Sequence, residues 1–122
     1  MKDNKPFSLR ARARSFKYAF VGMINFFKAE HNAILHLLAT ITVLVLAIVF
    51  HISGIEIITL ILAIGFVWAA ELFNTAIEKM MDFISTEQNP KIKLIKDLSA
   101  AAVLVAACSA ISVGCIVFIP KL

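Results

Sequence analysis

The stretch 71-ELFNTAIEKMMDF-83 places Glu71, Asn74, Glu78, Lys79 and Asp82 at the end of a long apolar run. On a helix wheel centred on Glu71, Asn74, Thr75, Glu78 and Asp82 fall at about −60°, +40°, −20° and +20°. All five side chains then share a stripe about 100° wide and roughly 16 Å tall. A carboxylate at the edge of a membrane span is costly unless it is paired, neutralised or facing water. Two more charged clusters can reach the same side: 28-KAEHN-32, which carries Glu30, and 96-KD-97. Convergence of Glu30, Glu71, Glu78, Lys96 and Asp97 would suit a divalent cation and a phosphorylated ligand, since Mg²⁺ takes carboxylate oxygens and shares them with phosphates. The plainer alternative is a structural polar cluster that holds helices together.

The glycines, Gly22, Gly54, Gly65 and Gly114, are scattered. No Gly-rich loop can cradle a phosphate in its backbone. Phosphoryl transfer here would rely on side chains and metal for positioning and charge neutralisation.

The elements that must position these groups read as membrane helices. The 122 residues are 61% hydrophobic and 16% charged, with a mean hydropathy of +0.90. Soluble domains are roughly half apolar and a quarter charged. The sequence reads as one all-α domain over 1–122, with an N-terminal amphipathic interfacial helix at about 8–30. Spans follow at about 33–50, 55–84 with a cytoplasmic extension, and 98–119. In the first helix Phe16, Phe20, Met23 and Phe27 form one stripe, and Arg10, Arg14, Lys17 and Lys28 form another, a pattern suited to lying in the membrane surface. Residues 51–56 form a tight turn, and 85–97 a polar connection punctuated by Pro90.

Seven of the twelve basic residues precede position 29. That placement suits an anionic leaflet and excludes a nucleic-acid footprint. With no basic residue in the 51–56 turn, the N-terminus and the 85–97 connection are expected in the cytoplasm. No cleavable signal peptide is evident. Cys108 and Cys115 are too far apart on one helix to bridge and read as small buried residues. Ala102, Ala106, Ala110 and Gly114 repeat every four residues, a ridge for close packing within or between subunits. His31 and His36 lie about 140° apart on a helix, too far to share a metal. Trp68 reads as an interfacial anchor.

The run from Glu71 to Asp82 resembles the signature of the small bacterial integral-membrane lipid kinases, the diacylglycerol and undecaprenol kinase family: E-x-hydrophobic-N-[ST]-A-hydrophobic-E-x-x-x-D. The run KDLSAAAV, Lys96 to Val103, is similar to the family's K-D-x-[SAG]-A-A-A-V. The resemblance covers nearly the whole chain. It implies a homotrimer in the bacterial cytoplasmic membrane, using ATP and Mg²⁺ on a membrane lipid. It implies Glu71 as the base on the lipid hydroxyl, Glu30 and Glu78 as metal ligands, and Asn74 and Asp82 in support. The nucleotide would meet Tyr18, Glu30, Glu78, Glu87, Gln88, Asn89, Lys96 and Asp97. The lipid would approach Ser15, Phe16, Lys17, Tyr18, Ala19, Phe20 and Glu71.

Two departures stand out. Ile34 replaces an Arg found in relatives with an E-H-N-A-R-I-H run, and Arg10, Arg12 and Arg14 all compete for one nucleotide-binding role. The resulting expectation is a lipid kinase acting on diacylglycerol, with undecaprenol as the alternative, towards which the EHN and His36 pattern leans. From another class, a proton-coupled exporter would explain Glu71 but not Glu78, Asp82 or the Lys96–Asp97 pair.

Overall fold

Why the chain breaks where it does is visible at each helix end. In the computed structural model, which describes residues 5–122, α1 (Leu9–Ala29) begins where the Ser8 hydroxyl accepts a hydrogen bond from the Ala11 N–H. It ends at Glu30, which is extended and gives its N–H to the Phe26 carbonyl. Next come α2 (Asn32–Val49), α3 (Gly54–Ile84) and α4 (Pro90–Phe118), followed by a single 3₁₀ turn at Ile119–Lys121. Among the described residues there is no strand. The chain divides into two units, one running through Ile34 and the other Leu35–Leu122.

In the first unit, Phe26 and Ala33 are buried. Residues 9–20 of α1 are exposed throughout. That includes Phe16 and Phe20, each 70% exposed.

In the second unit, α2 gives way to α3 through a turn in which His51, not Gly54, takes the left-handed conformation, at φ 50°. His is among the residues that tolerate this region, and its ring Nδ1–H donates to the Ile48 carbonyl at 2.9 Å. Gly54 instead opens α3. Ser53 and Glu56 form a reciprocal capping box, satisfying donors that a helix start otherwise leaves orphaned. Lys121 closes the same end of the unit, 3.3 Å from a Glu56 carboxylate oxygen. Beside it lies a small core of Ile52, Leu60 and Val117, packed by Val43, Ala47, Phe50, Val113 and Phe118.

The third span differs from the sequence reading. Residues 90–97, expected in the connection, are helical, so α4 starts eight residues before 98. Pro90 occupies the first helical turn, where its missing N–H costs nothing. Asn89 caps the helix through its side-chain oxygen, which accepts from the Lys91 N–H at 2.8 Å. The cysteines differ as well: Cys108 and Cys115 are free and exposed, not buried. Of the small-residue ridge, Ala106 is fully buried while Ala102 is exposed, so the ridge is only partly used within the chain.

Helices α2, α3 and α4 are each long and apolar enough to cross a membrane. Large apolar side chains lie open along them, such as Ile48, Leu62, Leu104 and Ile116. In water that surface would be a liability. In lipid it is the natural exterior, and the chain is a membrane protein.

Candidate active site

The α3 stripe forms as the helical period requires. Glu71, Asn74 and Glu78 are half-buried, Thr75 is buried and Asp82 is exposed. Burial thus falls away along the helix towards the polar end, and Glu71, Asn74 and Asp82 along that gradient each have a different partner.

Glu71 meets α2. The His36 Nε2–H donates to Glu71 Oε1 at 2.7 Å, with the two side chains 26% and 13% exposed. One turn further along α2, the Thr40 hydroxyl donates to the His36 carbonyl at 2.7 Å. It accepts from the Trp68 indole N–H at 2.9 Å. Trp68 therefore joins α3 to α2 within the protein, in addition to any interfacial role. The sequence reading used His36 as a rejected metal ligand and as part of the pattern leaning towards undecaprenol, without a partner. Its partner lies 35 residues away, beyond the reach of local spacing.

Asn74 meets α4. The Ser99 hydroxyl, itself buried, donates to Asn74 Oδ1 at 2.6 Å. That contact ties the two sequence motifs together and leaves the Asn74 amide N–H groups as donors to the site. The hydroxyl of Thr75 is buried with no hydrogen-bond partner among the described residues.

Where α3 meets α4, Lys96 Nζ donates to Asp82 Oδ1 at 2.6 Å, and Lys93 Nζ to Asp97 Oδ2 at 2.5 Å. With side chains between 35% and 77% exposed, each pair contributes about 0–1 kcal/mol and opens readily to a competing anion. These four residues line a cavity of about 620 Å³ together with Ser85, Thr86, Glu87, Gln88, Asn89, Pro90 and Ile92. Its size lies within the usual range for small-molecule sites. It gathers six residues expected from the sequence: Asp82, Glu87, Gln88, Asn89, Lys96 and Asp97. Lys93 is an addition, readable afterwards from its spacing of three and four residues to Lys96 and Asp97.

Glu71, Asn74 and Glu78 do not line this cavity. They lie further along the same face of α3, with Glu71 roughly 16 Å from Asp82 along the axis. In the first unit, Ser15, Phe16, Lys17, Tyr18, Ala19 and Phe20 form an exposed stretch of α1, and Glu30 is half-buried at its end. Among the described residues, no three His, Cys, Asp or Glu side chains come together as a metal cluster.

A helical chain with three membrane-crossing helices, a half-buried acidic face on one and a lysine-bearing cavity where two meet defines an integral-membrane protein with a site for a small charged ligand. Residues 17–118 match the prokaryotic diacylglycerol kinase family, and the chain belongs to it. It is 36% identical over 109 residues to the undecaprenol kinase of Bacillus subtilis strain 168, covering 89% of each chain. It is 33% identical over 109 residues to a diacylglycerol kinase of Synechocystis sp. strain ATCC 27184, covering 88% of this chain and 62% of that relative. The family and both relatives carry the names of lipid kinases, and this chain is a member of that group.

Proposed function

We propose that the protein transfers the γ-phosphoryl group of MgATP to the hydroxyl of a membrane lipid alcohol, with undecaprenol as acceptor. The observation that carries the reading is the arrangement of α3. One continuous helix face runs from a half-buried carboxylate, Glu71, to a polar cavity bearing two lysines. The choice of undecaprenol rests on the Bacillus relative, which matches over 89% of both chains. Diacylglycerol is the second reading, favoured by the family description and the Synechocystis relative.

In this scheme the nucleotide occupies the cavity. Lys96 and Lys93 exchange their carboxylate partners for phosphate oxygens, and Glu87, Gln88 and Asn89 contact the nucleoside. The triphosphate extends along α3 towards Glu78. The acceptor hydroxyl, brought by lipid lying against residues 15–20, reaches Glu71. Its proton passes to Glu71, its oxygen forms a bond to the γ-phosphorus, and the bond to the β–γ bridging oxygen breaks with its electron pair leaving on ADP. Such transfers need positioning and charge neutralisation more than covalent chemistry by the protein. Asn74, fixed by Ser99, directs its amide N–H groups at the reacting oxygens.

Glu78 is chemically suited to a Mg²⁺ ion. Glu78 is half-buried with no hydrogen-bond or ion-pair partner among the described residues. Mg²⁺ in nucleotide sites takes one or two carboxylates, the remaining positions going to phosphates and water. Glu78 would hold it, with Glu30 as its partner by the family resemblance, and when bound it supplies neutralisation of phosphate charge. A family of lipid kinases favours this scheme over a proton-coupled exporter. The basic N-terminal helix and the lysines of residues 91–96 favour a cytoplasmic face for the site, with α1 in the surface of the cytoplasmic membrane. The partly used small-residue ridge of α4 is compatible with a homotrimer.

The test is purified protein in detergent with labelled ATP and Mg²⁺, offered undecaprenol and diacylglycerol side by side. Wild type is expected to phosphorylate undecaprenol with the higher kcat/KM. Glu71→Gln and Glu78→Gln should each lose at least about 100-fold in kcat while remaining folded. Glu71→Gln with substantial activity removes it as the base.

A further inference from the structure

We infer that His36 is a positioning residue for the base, holding the Glu71 carboxylate in the orientation that accepts the lipid's proton. The inference rests on the reading of Glu71 as that base. His36 is the one ionisable side chain in α2, and it lies where the helix is otherwise apolar. An imidazole in such a place marks a polar partner across the interface, and the partner is Glu71 Oε1 at 2.7 Å.

A carboxylate at the end of a flexible side chain can rotate its two oxygens freely. One short hydrogen bond to Oε1 removes that freedom and leaves Oε2 as the oxygen offered to an incoming hydroxyl. Proton transfer requires hydrogen-bond distance to the abstracted proton, and misplacement by about 1 Å can cost about 100-fold in rate.

The turn of α2 that carries His36 is tied to α3 a second time. Thr40 donates its hydroxyl to the His36 main-chain carbonyl and accepts from the Trp68 indole. The indole ring lies beside the imidazole, centroids 6.2 Å apart and tilted by 60°. Residues four apart on α2, His36 and Thr40, thus meet residues three apart on α3, Glu71 and Trp68. Two cross-links one turn apart fix both the helix register and the direction in which Nε2 points. Such second contacts govern how exactly placed a reacting group is.

The step served is the phosphoryl transfer to the lipid hydroxyl. The acceptor O–H proton moves to Glu71 Oε2 as the oxygen–phosphorus bond forms and ADP departs. His36 exchanges no proton in this step; it donates a hydrogen bond throughout.

The experiment compares His36→Leu, which removes the donor, with His36→Gln, whose amide nitrogen can occupy the place of Nε2. Each is assayed as full-length protein in detergent with labelled ATP and undecaprenol, and its melting temperature is measured alongside. His36→Leu should lower kcat by about 10- to 100-fold with KM for ATP and lipid within about threefold of wild type. His36→Gln should recover kcat to within about fivefold. A purely structural clamp would instead lower the melting temperature without separating kcat from KM, and that result overturns the inference. If His36→Leu does not fold, His36→Asn, whose shorter amide cannot reach Oε1, takes its place. Equal kcat for the Asn and Gln variants then overturns the inference. Glu71→Gln is run beside them: an inactive Glu71→Gln with a fully active His36→Leu sinks only the positioning role, whereas an active Glu71→Gln sinks the base assignment beneath it.

Discussion

The Ser99 hydroxyl shows how a single side chain can join two distant pieces of sequence. It is buried, and its hydrogen bond to Asn74 Oδ1 crosses from α4 to α3. Ser99→Ala removes the donor with almost no change in volume and strands a half-buried amide oxygen. Leaving such an acceptor unpaired costs about 1–3 kcal/mol. The expected outcome is a lower melting temperature in detergent together with a reduced kcat, because Asn74 loses its fixed orientation. Asn74 was recognisable from the helix stripe and from its motif. Its partner was not, because the contact spans 25 residues and depends on how two helices pack. The same holds for His36 and Glu71. Helical periodicity reports which groups share a face; it says nothing about what the opposite helix brings to that face.

At the scale of elements, the entry into α4 is the instructive case. Asn89 both caps the helix and lines the cavity. Asn89→Ala is expected to cost about 1 kcal/mol of stability, measured by thermal melting, and to raise KM for ATP. Asn89→Asp should keep the cap, and under the proposed scheme its added negative charge in the cavity should still raise KM for the anionic nucleotide. The three apolar runs were legible because uninterrupted hydrophobic length is a strong signal. The start of α4 was not, because a proline between polar residues looks alike whether it ends a connection or opens a helix. The capping oxygen one residue earlier decides it. Polar composition over residues 90–97 marked a segment unlike the apolar run that follows, and that segment proves to be the first two turns of the helix.

For the whole molecule, the placement of charge makes a prediction about sidedness. In a variant with Cys108 and Cys115 both replaced by Ser, Leu122→Cys should react in intact cells with a maleimide that cannot cross membranes. Ser8→Cys should react only after permeabilisation. The reverse pattern would place the cavity on the wrong side for cellular ATP. A second consequence comes from the unbroken length of α3. Its 31 residues extend roughly 46 Å, against about 30 Å of hydrocarbon in an ordinary bilayer. A stiff rod with Glu71, the proposed base, at a fixed distance from its tip works as a depth gauge. In proteoliposomes of graded acyl-chain length, turnover should pass through an optimum and fall on both sides, as thinner or thicker membranes lift or sink Glu71 relative to the layer where lipid alcohols present their hydroxyls.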